Sequence, residues 1–379
     1  MTDDRDPSAT PRRAFLAGTV GTGLIGTTAA AVGDENGRGK GEGKRNRGGR
    51  KGRADGSETG PPTAHDLTMD DGHRLRVWER TTAADPAEAV IFVHGMTYGA
   101  LSMFEPPVAE GFGWLPYAAT QGQATFAPDM RGYGDTELPP EYDEPPEANG
   151  PPLSFEREAL DILELTRWLR EDRGFDRIHY VGLSGGTWRG RAVYELGDPD
   201  YATVTLAGGS FDTLEVGADP EGPAYLTQER SEFIDRWNAE LPEGADRDYW
   251  IGGEEYTADE VQAAVWEAIY ETNQAIGDGE ASETPREGGE TADEETIIAP
   301  LVVQESEYHP RQIDDPTLVI RASSDGIISR AGALNLYDAV GAIDHRKRYV
   351  EIGGGTHFVF LERKRRELFD AVRRFQTRY

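Results

Sequence analysis

Gly182-Leu183-Ser184-Gly185-Gly186 stands directly after an apolar run, Arg177-Ile178-His179-Tyr180-Val181, and ahead of a helix-compatible segment, residues 187–196. The order is strand, sharp turn, helix, with a serine at the apex. Glycines two positions to either side let the backbone take a strained turn that lifts the hydroxyl clear of a sheet edge. In a chain with 46 glycines such a pentapeptide can arise by chance, so its weight depends on its partners elsewhere.

Those partners follow a common pattern. Ala89-Val90-Ile91-Phe92-Val93 is a continuous apolar run of the kind a fully buried strand shows, and it ends at His94-Gly95-Met96. Ala124-Thr125-Phe126-Ala127-Pro128 leads into the loop Asp129-Met130-Arg131-Gly132-Tyr133-Gly134-Asp135, and Thr203-Val204-Thr205-Leu206-Ala207 is a further strand candidate. Thr317-Leu318-Val319-Ile320-Arg321-Ala322 precedes Asp325, and Arg348-Tyr349-Val350-Glu351-Ile352 precedes Gly353-Gly354-Gly355-Thr356-His357. Serine, acid and histidine each sit just past the carboxyl end of an apolar strand, the edge at which open α/β sheets place their sites. Upstream, residues 66–69 and 75–78 flank Asp70-Asp71-Gly72 and read as a hairpin.

Five separated signals in this order resemble the α/β-hydrolase superfamily, from about Leu67 to the C-terminus: His94-Gly95, the Asp129 loop, the Ser184 turn, Asp325 and His357. The resemblance implies a mostly parallel, doubly wound α/β sheet with a helical cap inserted over the site. It also implies a mechanism in which Ser184 is the nucleophile, His357 the base and Asp325 the acid that orients it. The amides of Met96 and Gly185 would form the oxyanion hole. No metal and no organic cofactor is implied. Fold and machinery follow from such a resemblance far better than substrate does.

Each assignment has a competitor. Of the seven histidines, His94 reads as a structural hydrogen-bonding residue and His179 as part of a core strand. His357 follows a glycine run that frees the backbone. Asp212, after Gly208-Gly209-Ser210-Phe211, occupies the position some family members use for the acid, whereas Asp314 and Asp315 precede their strand at the wrong end of the sheet. Asp129 and Arg131 read as loop-holding residues, and Trp188 as core or as a wall of the acyl pocket.

Formal net charge is -30, unevenly distributed: residues 1–60 hold 11 Lys and Arg against 8 Asp and Glu, and residues 61–379 hold 28 against 61, a charge of -33. Only Lys347 and Lys364 are lysines after residue 60. An acid-rich, lysine-poor surface is the composition expected of a protein working at high salt, and it disfavours nucleic acid as a partner of the body. Thr10-Pro11-Arg12-Arg13-Ala14-Phe15-Leu16 opens a mildly hydrophobic stretch that resembles a twin-arginine export signal, residues 1–33, with secretion as its consequence. The stretch is too weakly apolar for a stable membrane span. Residues 34–62, basic and Gly-rich, read as a flexible linker. With no cysteine in the chain, neither a disulfide nor a lipid-modified cysteine is available.

The expected organisation is therefore a core of residues 63–209 and 316–379 with a mainly helical cap over 210–315. Helical segments are expected around 228–240, 258–275 and 296–306; Val261, Val265, Ile269 and Thr272 keep helical spacing in the second. An acidic, Gly-rich surface loop is expected at 277–295. The expected activity is hydrolysis of a small-molecule carboxylic ester, with amide or peptide hydrolysis and a non-catalytic binding module as alternatives. Oligomeric state and the acyl and alcohol groups of the substrate are not legible.

Overall fold

The computed structural model describes residues 61–212, 217–272 and 296–379. The expected export signal, all but the last two residues of the expected linker, and the expected loop at 277–295 lie outside the described residues.

The strands are β1 (Thr63–Thr68), β2 (Arg74–Arg80), β3 (Ala89–Val93), β4 (Ala124–Pro128), β5 (Leu153–Ser154), β6 (Ile178–Leu183), β7 (Thr203–Ala207), β8 (Tyr225–Glu229), β9 (Thr296–Pro300), β10 (Val302–Val303), β11 (Thr317–Ala322) and β12 (Lys347–Ile352). The α-helices are α1 (Ala100–Phe104), α2 (Trp114–Thr120), α3 (Phe155–Glu171), α4 (Gly185–Leu196), α5 (Arg230–Ala239), α6 (Arg247–Ile251), α7 (Ala258–Tyr270), α8 (Arg330–Ala339) and α9 (Arg365–Gln376). Eight strands form one sheet in the order β1-β2-β4-β3-β6-β7-β11-β12. The β1–β2 and β2–β4 pairs are antiparallel, and every pair beyond β4 is parallel. This is an α/β-hydrolase fold.

Every residue of β3, β4, β6, β7 and β11 is buried. Helices cover both faces of the sheet, so neither face needs the polar alternation of a half-exposed strand, and apolar residues dominate these segments. Successive side chains still point to opposite faces. Ala89, Ile91 and Val93 join the core beneath α3, α4 and α8, while Val90 and Phe92 join the core beneath α1, α2 and α9. Helix α3 illustrates the local logic. The Ser154 hydroxyl accepts the Arg157 amide as N-cap, and Phe155, Ala159, Ile162, Leu165 and Leu169 recur at helical spacing on the buried face.

Between residues 210 and 315, α5, α6 and α7 supply most of the described regular structure, but one of the three expected helical segments is absent. Residues 296–306 are not helical: Thr296–Pro300 pairs antiparallel with β8 and Val302–Val303 pairs in parallel with β5. β-Branched Ile297 and Ile298, buried against the rest of the insertion, suit a strand, and Pro300 lacks the N–H that a helix interior needs. Gln228 and Glu229 likewise end β8 instead of opening α5. The second expected helix forms where its spacing lies, with a Thr257–Glu260 capping box at its start, but stops at Tyr270, short of Thr272. The expected hairpin at 66–78 is present as β1 and β2. No helix among the described residues is long and apolar enough to cross a membrane.

Candidate active site

The chain crosses from one half of the sheet to the other between β3 and β6, so the segments leaving these two strands diverge and open a crevice at their carboxyl ends. Ser184 follows β6 there with φ 51° and ψ -116°, a region a non-glycine residue adopts only when its surroundings impose it. Two close approaches impose it here. A Cβ on Gly182 would stand 2.4 Å from the Gly186 carbonyl oxygen, and one on Gly186 would stand 2.3 Å from that of Val93. Any larger residue at either place would force the turn apart.

His357 Nε2 lies 2.9 Å from Ser184 Oγ, and His357 Nδ1 lies 2.9 Å from Asp325 Oδ2. Asp325 is itself held, because its Oδ1 accepts the amides of Ile327 at 3.0 Å and Ile328 at 2.7 Å. Burial opposes the charged form of Asp325, but His357 and the two amides outweigh it and hold the carboxyl below its ordinary value. Burial also opposes protonation of His357, while the carboxylates of Asp325 and Glu240 favour it, and the balance lies above the ordinary imidazole value.

The structure thus brings Ser184, His357 and Asp325 into one hydrogen-bonded line. Met96 and Gly185 meet beside it: a Cβ on Gly185 would stand 3.1 Å from the Met96 backbone nitrogen. Among the described residues no acceptor meets either of these two N–H groups. Asp212 is elsewhere engaged, accepting the Ser210 hydroxyl at 3.2 Å and closing on Gly332. His94 accepts the Met130 amide on Nε2 at 3.0 Å, so its Nδ1–H donates to the Gly95 carbonyl. His179 pairs with Thr203 inside the core. Asp129 accepts the amides of Ala100 and Asp135 and the Trp78 indole N–H, and Arg131 pairs with Asp161 and Asp71, so both hold loops together.

Three supporting residues were missed in the sequence. Arg189 on α4 donates to both carboxylate oxygens of Glu158 on α3, at 2.8 and 2.9 Å, and to the carbonyls of His94 and Gly95 at 2.9 and 3.1 Å. It therefore fixes the loop that presents the Met96 amide. Glu158 and Arg189 are both completely buried. Removing one partner strands the other charge without solvent, so Arg189→Leu should lower unfolding stability by about 3–5 kcal/mol. Denaturation at molar salt measures this, and a loss under about 1 kcal/mol would place the pair among ordinary surface contacts. The third is Glu240, just past α5. Its Oε2 accepts the backbone amides of His357 at 2.8 Å and Gly326 at 3.1 Å, linking the two loops that carry the histidine and the acid.

The cleft above Ser184 encloses about 590 Å3 including its open mouth. Its walls are mainly apolar, with Met103, Leu183, Trp188, Ile328, Phe358 and Phe360 among them. Trp188 is thus both a buried residue and a cleft wall. Among the described residues no cluster of three or more His, Cys, Asp or Glu is arranged to hold a metal ion.

A family model described as alpha/beta hydrolase fold matches residues 88–364. No curated protein matches the sequence. Among solved structures, a serine hydrolase involved in carbazole degradation (CarC) matches with a TM-score of 0.51 at 18% identity, over 84% of this chain and 100% of that one. A thermophilic esterase from Thermogutta terrifontis matches with a TM-score of 0.51 at 16% identity, over 83% of this chain and 98% of that one. A meta-cleavage product hydrolase (CumD) matches with a TM-score of 0.53 at 15% identity, over 83% and 98%. At these identities the likeness is one of fold.

Proposed function

The chain belongs to the alpha/beta hydrolase fold family, and from that premise we propose that it is a serine hydrolase that cleaves carboxylic esters through an acyl-enzyme. The observation that carries this reading is the unbroken line from Ser184 Oγ through His357 to Asp325, each link 2.9 Å. Ser184 Oγ attacks the ester carbonyl while His357 Nε2 takes its proton, and Asp325 stabilises the imidazolium. The resulting oxyanion is met by the Met96 and Gly185 amides, which are free of other acceptors among the described residues. Collapse expels the alcohol, which leaves with the proton from His357. Water, deprotonated by the same nitrogen, then attacks the acyl-enzyme and releases the acid.

A panel of short- to long-chain esters, lactones and aminoacyl amides, assayed at molar salt beside fluorophosphonate labelling, tests the reading. Ester turnover with a single labelled site supports it. Turnover of amides alone would make the protein an amidase, and neither turnover nor labelling would make it a binding module.

His357 must be neutral to take the serine proton, so kcat/KM should fall as the pH drops through a midpoint above the ordinary imidazole value. Glu240→Gln keeps an acceptor for the two amides but removes a charge that favours the imidazolium. The midpoint should therefore move to lower pH, and a profile that stays in place would show that the Glu240 charge is not felt at His357.

The charge of -33 on residues 61–379 supports a protein adapted to high salt. Like charges repel over a screening length of roughly 30 Å at 0.01 M salt and only about 3 Å at 1 M. Dialysis into tens of millimolar salt should therefore lower the melting temperature, and potassium chloride should restore it. A melting temperature independent of salt would overturn this part of the reading.

A further inference from the structure

Among the described residues lining the cleft over Ser184, one carries a permanent charge. Arg236 on α5 lines it together with Ser184 and His357, and no Asp or Glu is among the described lining residues. This is notable in a body where acids outnumber Lys and Arg by 61 to 28. Arg236 is half-buried, and among the described residues its guanidinium meets no carboxylate and no hydrogen-bond acceptor. The acids that helical spacing would offer it are turned elsewhere. Glu232, four residues before it, closes the capping box of α5 by accepting the Glu229 amide at 3.0 Å. Glu240, four residues after it, accepts the amides of His357 and Gly326. Tyr98, another lining residue, already donates its hydroxyl to Gln228 at 2.7 Å.

A guanidinium presents five donors in a planar fork that matches a carboxylate. Held beside apolar walls without a protein partner, it is a group prepared for an anion that arrives with the ligand. The body as a whole is strongly negative, so a cation in the cleft supplies the local attraction that a negatively charged substrate needs. We propose that Arg236 binds a carboxylate of the substrate, and that the enzyme acts on esters carrying a free carboxylate, such as half-esters of dicarboxylic acids. The apolar walls would take the hydrocarbon part. The inference rests on the reading of Ser184 as the nucleophile.

The test compares monoethyl succinate, glutarate and adipate with ethyl esters of monocarboxylic acids of matching length, using the full chain at molar salt. For at least one length the wild type should prefer the half-ester in kcat/KM. Arg236→Gln should lower that preference roughly 10- to 100-fold, mostly through KM, the size expected for a charge-assisted pair. Arg236→Lys should recover part of it. Melting temperatures of both variants establish that they fold. Equal kcat/KM for half-esters and neutral esters at every length, or a preference unchanged in Arg236→Gln, would overturn the proposal while leaving the ester hydrolase reading intact. A binding measurement separates the two readings from the other side. Calorimetry should show adipate binding to Ser184→Ala, and the loss of that binding when Arg236→Gln is added. Adipate binding of this kind without ester turnover or fluorophosphonate labelling of the wild type would retain the anion site and overturn the hydrolase reading. No adipate binding to Ser184→Ala would overturn the anion site itself.

Discussion

Ser184→Ala should abolish fluorophosphonate labelling and lower kcat by about 10⁶-fold, leaving only the contributions of binding and the oxyanion amides. The size of the effect follows from how little of Ser184 is replaceable. Its hydroxyl is the atom 2.9 Å from His357 Nε2, placed there by a backbone at positive φ between two glycines packed against neighbouring carbonyls. The hydroxyl of Ser210, just past β7, is differently engaged, because it donates to Asp212. Mass spectrometry of the labelled wild type should find the adduct on Ser184 alone. Labelling that persists in the alanine variant would remove Ser184 from the mechanism.

Asp325→Asn should cost about 10⁴-fold in kcat with little change in melting temperature, whereas Asp212→Asn should cost no more than a few-fold. The asymmetry comes from the hydrogen bonds already described. Asp325 Oδ1 accepts two amides, from Ile327 and Ile328, so an asparagine will keep its carbonyl oxygen there. Its amide NH2 then faces His357 Nδ1. A donor at that position selects the tautomer whose proton sits on Nε2, and that proton points at the serine oxygen the ring should be accepting from. The substitution preserves shape and inverts the direction of one hydrogen bond. If Asp212→Asn proved the more damaging change, the acid would belong after β7.

The strands of the sheet were legible because burial on both faces leaves a simple mark. β3, β4, β7 and β11 have the bounds their apolar runs suggest, and Ser184, Asp325 and His357 each follow such a run. The missed features share a different cause. Thr296–Pro300 forms a strand through pairing with β8, about seventy positions earlier, and nothing within the segment names that partner. Arg189, Glu158 and Glu240 are charges in a chain full of charges, and sequence alone gives no reason to separate them from a solvated face. One signal was present: Glu158 falls on the buried stripe of α3 beside Phe155, Ala159 and Ile162. A charge on an apolar helical stripe calls for a buried counter-charge. Its identity, 31 residues away, could come only from the packing of α3 on α4.

Ser184 and His357 are 173 positions apart, and the nucleophile, acid and base leave strands β6, β11 and β12, which parallel crossovers bring into one sheet. Pairings of this kind close large loops before they are rewarded and are intrinsically slow to form. A nascent or truncated chain ending before β12 therefore holds a complete serine turn with no base to activate it. Hydrolytic activity accordingly marks the finished topology, and its recovery during refolding should track docking of the last strand more closely than the return of helical signal.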